Sequence, residues 1–177
     1  MHEKTISSKL LYQGKFLEFK EDKIEIDTEP KIEGFRQYLV HPGGVCIIPV
    51  LDNGDIILEK QFRKPLEKII LEIPAGKIDP GETDTLETAK RELQEETGYT
   101  AETWIDLGLI YPCPGYSTEV LQLYLAKDLK AGKQNLDYGE LIELETLSLE
   151  EIEKKIHNGE IRDGKTITGI FLAKKYL

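Results

Sequence analysis

Residues 76–99 read GKIDPGETDTLETAKRELQEETGY: a loop, then a helix, then a stop at Gly98. Within this stretch Glu92, Glu95 and Glu96 crowd into five residues. Three and four positions apart on a helix, their side chains share one face. Leu86, Ala89 and Leu93 form the neighbouring apolar stripe, which anchors that face against a core. Like charges at these spacings cost roughly 0.2–0.5 kcal/mol per pair in water, so a solvated acidic face is tolerable. The adjoining Pro74-Ala75-Gly76 loop brings a backbone carbonyl to the same region and completes an all-oxygen donor set. Such a set suits Mg²⁺ or Mn²⁺, hard cations that take one or two carboxylates and keep several waters. Arg91, at helical spacing from Glu87 and Glu95, is placed to hold the carboxylates in register.

The rest of the chain bounds what such a face serves. Its 177 residues fit one domain with a small appendage, and 40% hydrophobic against 32% charged residues suffices for a buried core. With 33 acidic and 23 basic residues the net charge is −10, which argues against a nucleic-acid partner. The charge is uneven. Residues 60–77 carry Lys60, Arg63, Lys64, Lys68 and Lys77 against Glu67 and Glu72, a local +3. Residues 79–102 carry eight acids against Lys90 and Arg91, a local −6. A basic segment followed by an acidic one suits an anionic substrate held beside bound cations. No apolar run of about 18 residues occurs, so no membrane partner is expected. The opening MHEKTISSKLLYQGK has no apolar signal core, and a cytoplasmic protein is expected. Cys46 reads as a small core residue within VCIIPV and Cys113 as a loop residue between prolines; neither has metal-ligand spacing.

KFLEFKEDKIEI and FRQYLV alternate as antiparallel strands around the turn DTEPKIEG. After HPGG, the segments VCIIPV, DIILEK and IILEI read as strands, PAGKIDPGE as a loop, and a helix follows from about residue 84 to 97. WIDLGLI, EVLQLYLA and ELIELETLS resume the strands. Ser148 and Glu151 form a capping box that opens a helix to about His157, and a last helix covers roughly residues 165–176. This order predicts an α+β fold with helices on the faces of a mixed sheet, preceded by a small N-terminal antiparallel β unit. The expected division is residues 1–40 for those strands and 41–177 for the main domain.

The segment 76–99 resembles the Nudix box: Gly, five residues, Glu, seven residues, then Arg-Glu-hydrophobic-x-Glu-Glu-x-Gly-hydrophobic. Gly76, Glu82, Arg91, Glu92, Leu93, Glu95, Glu96, Gly98 and Tyr99 fill the defining places. One departure stands out: eight residues separate Glu82 from Arg91, the surplus falling around 83–85, where loop becomes helix. The resemblance implies a Nudix-like α/β/α sandwich and Mg²⁺-dependent hydrolysis, with Mn²⁺ as substitute, of a nucleoside diphosphate linked to another group. HPGGVCIIPV after a strand bearing Arg36, then EKQFRKPLEK and LEIPAGK, with Pro114 sixteen residues past Gly98, resemble the ADP-ribose and nucleoside diphosphate sugar pyrophosphatase branch. HPGG departs from that branch, many of whose members have alanine in place of Gly44.

Residue by residue, the resemblance implies that Glu92, Glu95 and Glu96 bind Mg²⁺ with the Ala75 carbonyl. Arg36 and Arg63 contact phosphates or terminal ribose, and Glu72 touches substrate or a metal-bound water. Glu140 takes the place of a catalytic glutamate, with Asp137 as second choice; Glu95 and Glu96 are the other candidate bases, and Arg91 completes the catalytic set. A planar guanidinium grips diphosphate oxygens in a fork that lysine cannot imitate, which supports the arginine assignments. Pro114 joins the substrate set, and Phe16 or Phe19 is placed to stack on a base. The implied reaction is ADP-ribose to AMP and ribose 5-phosphate, with a GDP- or UDP-hexose as runner-up substrate. Two rivals are a Nudix-like nucleotide sensor that does not cleave, and an acidic face with no metal at all. The branch also implies a homodimer in which N-terminal strands cross to the other subunit.

Overall fold

The alternating segments before HPGG become strands β1 (Glu3–Gln13), β2 (Glu18–Ile26) and β3 (Ile32–Val40) in a computed structural model, which describes residues 2–177. They form an antiparallel sheet in the order β1-β2-β3. Strand β1 escapes the sequence pattern because it is exposed along its whole length and has no buried face for alternation to mark. Leu39 exchanges backbone hydrogen bonds with Tyr116 (2.8 Å) and Thr118 (2.9 Å). The chain up to Gly43 and Tyr111–Val120 thereby form one compact unit, and Gly44–Ile110 with Leu121–Leu177 form a second.

The second unit is built on a four-stranded mixed sheet, β7-β4-β9-β8, made of β4 (Gly44–Pro49), β7 (Ala75–Lys77), β8 (Tyr99–Ile110) and β9 (Leu121–Ala131). Only the β4–β9 pairing is parallel. Strand β4 is buried throughout, which is why VCIIPV reads as an unbroken apolar run. On one face Val45, Ile47, Tyr124 and Ala126 pack against Ala89 and Leu93, with Leu86 alongside, and so fix helix α1 (Thr85–Glu92). On the other, Cys46, Ile48, Leu123 and Leu125 pack against Ile152 of α2 (Leu149–His157) and Ile170 and Ala173 of α3 (Gly164–Ala173). Helices cover both faces of a mixed sheet, the α/β/α sandwich. Full burial of one such aliphatic side chain is worth about 1.5–3 kcal/mol, so the apolar anchor of α1 outweighs surface repulsion among its glutamates. A second sheet, β10-β5-β6, joins β5 (Ile56–Arg63), β6 (Lys68–Glu72) and β10 (Ile142–Leu147), all antiparallel.

Local chemistry accounts for the boundaries. The Asp84 side chain accepts from Leu86 N–H (2.9 Å) and caps α1, so the surplus residue stays in the loop before the helix. Beyond Glu92 the chain widens into a π-helical turn, Leu93–Thr97, which the sequence reading took as plain α-helix. It ends at Gly98, in the left-handed region with φ 77°. PAGK, expected as loop, contains β7, paired with Gly44–Cys46. A Cβ on Gly44 would stand 2.7 Å from the Gly76 carbonyl oxygen, so the glycine permits this close pairing. The capping box at Ser148 and Glu151 is present. Helix α3 starts one residue before Lys165, capped by Asp163, and Lys174–Tyr176 tighten into a 3-10 turn. Among the described residues no helix is long and apolar enough to cross a membrane.

Gly98→Ala would combine the left-handed φ with a Cβ 2.8 Å from Gln134 N. It is expected to cost about 1–3 kcal/mol and to lower the melting temperature by several degrees. Gly54→Ala, at φ 88° but in open space, is expected to cost less in the same unfolding measurement.

Candidate active site

The glutamates are held from two sides. Glu96, 3% exposed, accepts a hydrogen bond from Ala75 N–H at 2.9 Å, which ties the π-turn to β7. Glu92 lies across Gly76 so closely that a Cβ there would sit 1.8 Å from its Cδ; only glycine leaves that cradle open. Arg91 Nη1 donates to Glu92 Oε1 and Glu95 Oε2, each at 2.9 Å. Its Nε and Nη2 donate to Glu82 at 3.2 and 3.3 Å. Glu87, expected as an Arg91 neighbour, instead takes Lys90 at 2.7 Å. Glu82 also accepts from Asp79 N–H (2.9 Å) and the Thr88 hydroxyl (3.0 Å), so the lengthened loop still delivers it to Arg91. The Arg91 hydrogen bond, foremost among these contacts, keeps the Glu82 carboxyl below its ordinary range.

Strand β5 carries a second set of polar side chains in the same unit. Period-two alternation puts Glu59, Gln61 and Arg63 on one of its faces. Arg63 Nε and Nη2 donate to the two oxygens of Glu72 at 2.7 and 3.1 Å, a fork-on-fork pair. Glu72 is fully buried and also receives Lys165 Nζ, which donates in turn to Asp163 Oδ2 at 3.1 Å. Both Glu72 oxygens are thus engaged by cations of the protein itself, and the residue fixes the Arg63 guanidinium. Gln61 Nε2 donates to Glu140 Oε1 at 3.1 Å, and Asp137 N–H approaches Glu140 Oε2 at 3.4 Å. Glu140 is half-buried there, and Asp137 is exposed.

These acids feel one another. Burial pushes Glu92 up to about 7, opposed by Arg91 and reinforced by Glu95 and Glu140. Burial raises Glu96 further, helped by the charges of Glu59, Glu92 and Glu140. Glu59 is raised by burial and by Glu72 and Glu140, against Lys165 and Arg63. Two like charges about 4 Å apart repel by about 4 kcal/mol at an effective dielectric of about 20, far above the surface figure. Such a cluster keeps protons or takes cations. Its donors are all oxygens, which fits a hard divalent ion. As arranged here, one oxygen each of Glu92 and Glu95 is taken by Arg91. Among the described residues no three acidic, histidine or cysteine groups already stand in a ligating constellation.

The remaining candidates belong to the first unit. Arg36 on β3 pairs with Glu3 of β1 and donates to Phe35 O at 3.1 Å. Phe16 is exposed and meets the His41 ring edge-on at 5.9 Å. Phe19 is half-buried on β2 opposite Leu39, and Pro114 is exposed in the loop after β8. Sequence reasoning missed Glu59, Gln61, Lys165 and Asp163. The alternate polar residues of ILEKQFR were the available signal for the first two. Lys165 had none, because its partner Glu72 lies 93 residues away.

The NUDIX domain family model matches residues 40–168. An ADP-ribose pyrophosphatase of Bacillus subtilis (strain 168) is 38% identical over 172 residues, 96% of this chain and 91% of that protein. A methanol dehydrogenase activator of Bacillus methanolicus is also 38% identical, over 170 residues, 95% of this chain and 90% of that protein. The crystal structure of an ADP compounds hydrolase superposes with a TM-score of 0.85 over 100% of this chain and 95% of that chain, at 20% identity, a likeness of fold.

A carboxyl whose native pKa lies above the ordinary 4.5 binds its proton more tightly in the folded protein than in the unfolded chain. Its contribution to stability is complete below 4.5 and is lost as pH rises through the native value. For Glu92 that window runs from 4.5 to about 7, and Glu59 and Glu96 act in the same direction. Urea unfolding with chelator present is therefore expected to give lower stability at pH about 8 than at about 5.

Proposed function

The chain belongs to the Nudix family, and on that premise we propose that it is an ADP-ribose pyrophosphohydrolase, yielding AMP and ribose 5-phosphate, with Mg²⁺ as its cation and Mn²⁺ as substitute. The observation that supports this most is the mutually repelling set of buried Glu59 and Glu96 and half-buried Glu92 and Glu140, in the same unit as the braced Arg63 fork. Negative charge awaiting cations and a guanidinium for anionic oxygens is the electrostatic requirement of diphosphate cleavage. The 38% identity to an ADP-ribose pyrophosphatase over nearly the whole chain supports ADP-ribose as the substrate.

Glu92, Glu95 and Glu96, with the Ala75 carbonyl, would hold the divalent ion, the first two turning away from Arg91 to do so. When bound, a divalent cation cancels diphosphate charge and makes water a better nucleophile at neutral pH. Glu140, oriented by Gln61, accepts the proton of the attacking water, with Glu95 and Glu96 as the alternatives. Arg63 uses Nε and Nη2 on Glu72, which leaves Nη1 for a phosphate oxygen. Arg36 is assigned to phosphate or terminal ribose, Phe16 to the base and Pro114 to the substrate-binding set.

Glu96→Gln and Glu95→Gln are each expected to lower kcat on ADP-ribose by about 10²–10⁴ while circular dichroism stays unchanged. Full activity in both variants would contradict the assignment. Across a panel of ADP-ribose, GDP-hexoses and UDP-hexoses, kcat/KM is expected to be highest for ADP-ribose; equal values throughout would contradict the substrate.

The first unit is proposed as the dimer contact, residues 1–40 serving dimerisation. It exposes Ile6, Leu10, Tyr12, Ile32 and Phe35, the last at 61%, apolar side chains that a second subunit would cover. Deletion of residues 1–35 is expected to abolish both dimer and activity in sedimentation and turnover assays. An active monomer would contradict it.

A further inference from the structure

Three acids in the second unit are buried almost completely: Glu59, Glu72 and Glu96. Glu72 is neutralised by Arg63 and Lys165, and Glu96 receives the Ala75 N–H. Glu59 has 0% exposure, and neither Oε1 nor Oε2 has a hydrogen-bond partner. A buried carboxyl with nothing to bind is among the costliest groups a core can contain. Its strand neighbours Ile56, Ile57 and Leu58 are apolar and buried, so packing alone would favour another aliphatic side chain here.

A second orphan lies beside it. Gln61, two residues along the same face of β5, donates its amide N–H to Glu140 and leaves Oε1 buried without a partner. Three unsatisfied atoms thus come from one strand face, and all of them are acceptors. The neighbouring cations are turned elsewhere: Arg63 commits Nε and Nη2 to Glu72, Lys165 donates to Glu72 and Asp163, and neither hydrogen-bonds the three orphan oxygens. Glu59 pairs in register with Glu72 across β5 and β6, and of the charges acting on Glu96 that of Glu59 comes first, ahead of Glu92 and Glu140. Oxygen acceptors without donors, facing a carboxylate, are the surroundings of a hard cation.

We infer that Glu59, assisted by the Gln61 amide oxygen, is a ligand of a divalent cation shared with Glu96, a position on β5 that lies outside the glutamate motif of the helix. This rests on the cation binding proposed above, and it adds a specific ligand to it. Glu59 would take the ion through one or both free oxygens, and Gln61 would contribute Oε1 directly or through a coordinated water. The Gln61–Glu140 hydrogen bond then links this position to the proposed proton acceptor.

The test uses Mn²⁺ alone, without nucleotide, on the full chain. Wild type, Glu59→Gln, Glu59→Val and Glu96→Gln are titrated by calorimetry, with electron paramagnetic resonance counting free ion, and melted with and without Mn²⁺. Both Glu59 variants are expected to lose one Mn²⁺ equivalent or to bind it about tenfold or more weakly. Glu59→Val is also expected to melt higher than wild type in chelator and to gain less from added Mn²⁺. Glu59→Gln keeps the shape and polarity of the site, so it carries the test if the valine variant misfolds. Wild-type stoichiometry and affinity in the Glu59 variants, with binding weakened in Glu96→Gln, would overturn this inference and leave the proposed function standing. Absence of Mn²⁺ binding in wild type would overturn both.

Discussion

Buried negative charge is the constraint on which this structure turns. Glu59, Glu72 and Glu96 are all removed from solvent, and each is answered differently. Glu72 is met by a guanidinium and an ammonium; burial pulls the Lys165 pKa down, yet Asp163 and Glu72 outweigh it and keep the cation charged. Glu96 is met by one backbone N–H and Glu59 by nothing. In a low-dielectric interior these differences sort the acids by task. The neutralised one braces an arginine, and the uncompensated ones are those to which a cation is proposed to bind.

The backbone around the cluster is arranged to keep it tight. Gly44 lets β7 approach β4, and Gly76 lets Glu92 lie over β7. Ala75, between them, carries the N–H that receives Glu96. Helix α1 is pinned to the sheet by Ala89 and Leu93, both fully buried, so its carboxylates cannot retreat to solvent by tilting the helix away. Arg91 then spans Glu82, Glu92 and Glu95, standing in for positive charge that an incoming ion would supply. A single-residue cradle, an apolar anchor and the Arg91 guanidinium together hold the repelling carboxylates in one place.

Much of this was legible in the sequence, for physical reasons. The glutamate face, its apolar stripe and the Gly98 stop all come from residues close together in the chain, where helical spacing decides the geometry. Cys46 in the core and the Ser148–Glu151 box were equally local. Strand β1 was hidden because none of its residues is buried, and β7 because its pairing depends on Gly44, more than thirty residues away in sequence. The π-turn leaves no pattern that separates it from α-helix over five residues. Glu59 reads only as part of a strand, since nothing in DIILEK reveals that it pairs in register with Glu72 across the sheet or that its charge acts on Glu96. Lys165 was taken for a helix start, and its role comes from a partner on β6.

The central claim concerns where ions sit, and anomalous diffraction from an Mn²⁺-soaked crystal reads that directly. Manganese peaks are expected bounded by the carboxylates of Glu92, Glu95 and Glu96 beside the Ala75 backbone, with Arg91 displaced from Glu92 and Glu95. Peaks confined to other surfaces, with the Arg91 contacts intact at saturating Mn²⁺, would contradict it.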